Sequence, residues 1–183
     1  MRLCLGITES SCCRLRKSDA GKAWAASIAA VGLASATFHG STGRFRHIGR
    51  KLDYWTIAIS SSFLTKAVIP GMPRSATVAG LAATPFKPFL VSFGNSTAME
   101  AVFLERSWRN PELRNAQRLH SACALLGLGA FALEEYMPRL PLVHACWHCL
   151  SAVCVGTTNA LLADVEQEQE AILKVQPLQL ALQ

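Results

Sequence analysis

Charge is confined to short clusters in this chain, and between them lie uncharged runs at 23–38, 54–65, 121–133 and 140–163. A run with no charge can be buried along its whole length, either in a protein core or in lipid. Only 140–163 exceeds the ~20 residues that carry a helix across a bilayer, and the shorter runs have the length of buried core helices. Composition tips the balance: 16% of the residues are charged and 51% apolar, against roughly 25% charged in soluble domains. The expected architecture is all-α, a polytopic membrane helix bundle of about six transmembrane helices. The excess of 18 Lys and Arg over 12 Asp and Glu does not suggest nucleic acid, because the cations flank apolar runs instead of lining one face with interleaved aromatics.

Six helices follow from the breakers and periodicity. The first spans about Lys22 to His39, with Gly40 expected in the left-handed position that ends many helices. A Gly- and Arg-rich loop, GSTGRFRHIGRK, should follow, and a second helix should open near Asp53, whose carboxylate suits a helix N-terminus. That helix ends near Val68, before IPGMPR. A short third helix covers about 75–83, a fourth runs from Pro88 to about Arg106, and a fifth from Asn115 to Glu135 with Pro138 ending it. The sixth starts at Pro141, a favoured first-turn residue, and reaches Asp164. The domain reading is a basic N-terminal segment (1–20), a helical bundle (21–165) and a polar tail (166–183) that either extends the last helix or frays.

The N-terminal segment lacks the continuous apolar stretch of a secretory signal. Its Arg2, Arg14, Arg16 and Lys17 among Ser and Cys resemble an organelle transit peptide, with a plastid or mitochondrial address. Seven cysteines without regular spacing do not form a secreted disulfide framework. Cys123, Cys146, Cys149 and Cys154 lie within apolar runs and read as small buried side chains. CWHC at 146–149 has no βαβ context for a redox motif, nor a histidine directly after its second cysteine, as c-type haem attachment needs.

Two of the uncharged runs carry the chemistry. SATFHG places Ser35 and His39 four residues apart, and HACWHC does the same for His144 and His148, so on helices each pair shares a face. If the six helices alternate in direction, His39, Asp53, Glu134, Glu135, His144 and His148 all fall at one side of the bundle. Merging helices three and four would separate His39 from His144. Three imidazoles with one open position are a catalytic zinc arrangement, which generates hydroxide near neutral pH. Asp53 would orient or deprotonate the water, and Ser35 would hydrogen-bond to it or to a developing oxyanion.

Ser-x3-His on one helix, Asp at the start of the next and His-x3-His on the last resemble the signature of the CREST superfamily of membrane hydrolases, which includes alkaline ceramidases and the progestin and adiponectin receptors. The resemblance implies zinc ligands His39, His144 and His148, with Asp53 and Ser35 beside the metal-activated water, and a lipid amide as substrate. That family has seven spans with Ser-x3-His on the second, so this chain is expected to lack the first. GRKLDYWTIA departs from the ceramidases and suggests a separate branch, of plant or algal type.

Other residues have plainer readings. His47 and His120 are expected to cap or face the interface at helix ends, and Glu134 and Glu135 either line the site mouth or, as the preferred reading, face solvent at a helix end. Arg44, Arg46, Arg50 and Lys51 either flank a span or hold an anionic headgroup. Twelve Lys and Arg on the N-terminal side against six on the histidine side orient the site away from the cytoplasm or stroma. The competing function class is non-enzymatic: a haem-binding electron carrier using the same histidines, or an interaction subunit held together by polar helix residues.

Overall fold

The structure is a computed structural model that describes residues 18–137 and 142–180, without the side chains of Glu135 and 176–180. The targeting segment, Cys4, Cys12, Cys13, Pro138 and Pro141 lie outside the described residues. Among the described residues there are six α-helices and no strand: α1 (Asp19–Gly40), α2 (Gly43–Val68), α3 (Arg74–Ala83), α4 (Pro88–Arg109), α5 (Arg114–Tyr136) and α6 (Val143–Leu180).

Local chemistry sets several of the ends. The Ser18 hydroxyl accepts from the Gly21 N–H at 3.0 Å and Asp19 follows in the first turn, which satisfies one orphan donor and complements the helix dipole. Pro88 occupies the first turn of α4. Asn110 caps a 3₁₀ turn over Pro111–Leu113 by accepting from the Glu112 N–H at 3.1 Å, and this turn leads into α5.

The expected loop between the first two helices is itself helical. Gly40 is the last residue of α1, and the left-handed residue is Gly43, with φ +58°, where α2 begins. Asp53 therefore lies in the third turn of α2 and not at its start, ten residues after Gly43. Nothing in GRFRHIGRK blocks propagation, since it has no proline and its arginines are good helix formers. Gly49 serves packing: a Cβ there would stand 2.9 Å from the Phe38 Cα, so only glycine allows α1 and α2 to approach this closely. The antiparallel register holds along both helices, with Ser27 hydrogen-bonded to Ser60 at 3.0 Å near the other end.

The 10 residues of α3 rise only about 15 Å, half the thickness of a hydrocarbon core. They nonetheless return the chain, so that α4 starts beside α2's Tyr54, whose ring lies 4.8 Å from that of Phe89. α4 ends where Arg106 pairs with Asp164 at 2.7 Å and Glu168 at 2.5 Å. These two carboxylates neutralise the largely buried guanidinium. Ser18 reaches Glu166 at 3.0 Å at the same end. These partners extend α6 through the acidic tail to Leu180.

Large apolar side chains are found both in the core and on the surface. Among the described residues, twelve apolar residues are buried, and most form one cluster around Phe103, Leu161, Leu162 and Val165, while 23 large apolar side chains are exposed. The exposed set includes Leu33, Phe86, Leu90, Phe93, Leu125 and Leu126. Helix contacts inside are made by small polar groups: the Asn95 amide donates to Ser61 at 3.2 Å and Ser62 at 3.0 Å, and the Thr65 hydroxyl to the Asn95 carbonyl. Interhelical bonds of this kind are characteristic of helices packed in lipid. One helix, over Val143–Val175, is by itself long and apolar enough to cross a membrane.

Candidate metal centre

The bundle end away from the Phe103 cluster brings His39, His144 and His148 together. His39 sits on the last turn of α1, and the other two lie four residues apart on the first turns of α6. Their Nε2 atoms form a triangle with edges of 3.1 Å (His39–His144), 3.2 Å (His39–His148) and 2.9 Å (His144–His148). Hydrogen bonds alone explain this poorly, because each neutral Nε2 is either a donor or an acceptor, so at least one edge of the triangle sets two N–H groups or two lone pairs against each other. Two nitrogens on a tetrahedral zinc ion stand about 3.3 Å apart, close to all three edges. The donor set and spacing fit a divalent metal of the zinc kind.

Glu134 determines how His144 presents itself. Its Oε2 lies 2.8 Å from the His144 Nδ1, so that Nδ1–H donates to the carboxylate and the Nε2 lone pair faces the triangle. The preferred expectation that Glu134 merely faces solvent is corrected: it is a partner of the site. Aromatic neighbours hold the other rings, with Phe38 4.5 Å from His39 and Trp147 4.6 Å from His148 between ring centres.

Asp53 is only 3% exposed. Ser35, one turn before His39, lies beside its carboxylate, and the Oδ1 atom has no hydrogen-bond partner. A buried carboxylate oxygen left in that state is costly unless a ligand or water completes it. A cavity of about 650 Å³ opens beside these groups, lined by Asp53, His144 and Glu134 and walled by Tyr54, Phe131 and Trp147. Arg46, His47 and Arg50 stand at its exposed edge. His47 thus belongs to the cavity mouth.

His120 is also corrected. It is 3% exposed, inside α5, and its Nδ1 lies 2.9 Å from the Thr157 hydroxyl of α6. The same hydroxyl lies within hydrogen-bond reach of the Val153 and Cys154 carbonyls. The His120 Nε2 faces Glu100 Oε2 at 3.4 Å, and Glu100 also holds Ser121. This polar cluster joins α4, α5 and α6. Of the cysteines expected to be buried, Cys123 is buried and Cys154 half-buried, but Cys146 and Cys149 are exposed, because the α6 face that turns His144 and His148 inward turns these outward.

No protein family, curated relative or solved structure matches the chain.

Proposed function

We propose that this protein is a polytopic membrane protein of the CREST type: a zinc-dependent hydrolase that cleaves an amide or ester bond of a lipid. The observation that carries the reading is the convergence of three Nε2 atoms within 3.2 Å of one another, beside a buried carboxylate oxygen without a partner. Membrane integration is supported by the many large apolar side chains exposed on the bundle, since exposed apolar surface of this extent is stable only when covered. The membrane address, plastid or otherwise, belongs to the same proposal.

Zinc, when bound, acts as a Lewis acid toward a carbonyl and lowers the pKa of water toward about 7. His39, His144 and His148 would hold it, and Glu134 fixes the tautomer that lets His144 do so. Asp53 accepts a proton at Oδ1 from the attacking water and returns it to the leaving amine or alcohol. Ser35, beside that carboxylate, would hydrogen-bond to the water or to a developing oxyanion. Phe131 and Trp147 form an apolar wall for an acyl chain.

The alternative of haem ligation fits less well. Two axial histidine nitrogens stand about 4 Å apart with the macrocycle between them, whereas these three are in mutual contact. The interaction-subunit alternative leaves Asp53 Oδ1 unexplained.

Turnover by zinc-loaded Asp53→Asn beside wild type tests the reading. Asn keeps the shape but cannot accept a proton, so the variant should retain fold and zinc and lose hydrolysis of an acyl amide or ester. Equal rates would remove Asp53 from the chemistry.

A further inference from the structure

We propose that the cavity selects an acyl lipid with an anionic headgroup, a carboxylate or phosphate, gripped by Arg46 and Arg50. The cleavage of that lipid rests on the hydrolase reading; its selection rests on the cavity itself.

In the sequence, Arg44, Arg46, Arg50 and Lys51 form one undivided basic cluster. Because the stretch is helical, the fold divides it. Arg46, Arg50 and Asp53 follow at i, i+4 and i+7 and share a face, while Arg44 and Lys51, seven apart, occupy another. Arg46 and Arg50 line the cavity and the other two do not. The Arg46 guanidinium is held over the Phe38 ring at 4.7 Å. Among the described residues neither Arg46 nor Arg50 forms an ion pair with a carboxylate. Two planar donor forks without an anion, at the edge of a cavity, suit a carboxylate or phosphate.

The opposite character of the inner wall gives the ligand a direction. Asp53 and Glu134 repel an anion there, so the headgroup belongs at the arginines and the reacting carbonyl at the histidines. Along α2 the axial rise from Asp53 is about 4.5 Å to Arg50 and about 10 Å to Arg46. The anion therefore lies a few bonds from the scissile group. The acyl chain runs along Tyr54 and Phe131 toward Phe89, which is in ring contact with both, at 4.8 and 6.2 Å, and is exposed on the bundle surface.

Binding of three alkyl probes that contain no acyl amide or acyl ester bond tests this: the ethers dodecyloxyacetate and neutral 2-dodecyloxyethanol, and the alkyl phosphate dodecyl phosphate. The full chain, zinc-loaded in phosphatidylcholine nanodiscs, presents no net bilayer charge. Wild type should bind at least one anionic probe about tenfold or more tighter than the neutral one. Arg46→Gln/Arg50→Gln should reduce that preference to about twofold or less and leave the neutral probe unaffected. Arg44→Gln/Lys51→Gln removes the same charge from the other face and should keep the preference. Absence of a preference in wild type, its survival in the 46/50 pair, or equal loss in the 44/51 pair would overturn the proposal. Retention by the 46/50 pair would mean capture by zinc itself, and equal loss in the 44/51 pair a diffuse surface charge. A protein that shows the preference but cleaves no acyl amide or ester would defeat the hydrolase reading alone.

Discussion

Gly49→Ala is the perturbation that most directly asks whether α1 and α2 position the metal ligands. The added Cβ would meet the Phe38 Cα at 2.9 Å, its N at 3.2 Å and its Cβ at 3.4 Å. Carbon atoms pack favourably at about 3.5–4.0 Å, so the helices must part locally by roughly 0.6 Å or more. The obstacle is backbone, which cannot rotate away as a side chain could. Overpacking of this kind costs about 1–3 kcal/mol. His39 is the next residue after Phe38 and moves with it. A displacement of that size exceeds the roughly 0.2 Å tolerance of a metal–ligand distance, so zinc affinity should fall about tenfold or more, equivalent to about 1.4 kcal/mol. Gly32→Ala on α1, the helix that carries His39, has nothing within 4 Å of the new Cβ and provides the control, with unchanged affinity and a gain in helix propensity of up to about 1 kcal/mol. Zinc competition with a chromophoric chelator on purified variants measures both. Affinity for Gly49→Ala within twofold of wild type would refute the claim that this close contact sets the position of His39.

Wild type should carry about one zinc per chain by elemental analysis, with the metal lost in His148→Ala and strongly weakened in His39→Ala, because two protein ligands hold the ion poorly. Full zinc content in both variants would contradict the site. Glu134→Gln should keep the fold but lower zinc affinity about tenfold, the smaller end of the usual range for partners of ligating histidines, since the amide oxygen can still accept from His144; a chelator titration reads it. Cysteine labelling in intact membranes should place 70–74 and 110–114 on one side and 43–46 on the other, and a map with 70–74 opposite 110–114 would break the helix order that gathers the histidines.

Much of this protein is legible along the chain because it depends on short-range periodicity. The four-residue spacings of Ser35 with His39 and of His144 with His148 are local properties of helices, and the breakers at 69–73 and 84–88 show where α2 stops and α4 starts. Helix alternation then suffices to gather one site from residues more than a hundred apart. What the chain alone did not reveal depends on contacts across helices. Gly40 and Gly49 both read as loop formers, yet one ends α1 within the helix and the other lets α2 lie against Phe38. Asp53 looked like a helix cap, and only the earlier start of α2 makes it a buried carboxylate with a free oxygen. Glu134 gained its role from His144, and His120 its burial from Glu100 and Thr157. The basic cluster split into two faces only once its stretch was helical. In each case the deciding energy is desolvation or close packing between segments distant in sequence, and a single helix's pattern carries no record of what will stand against it.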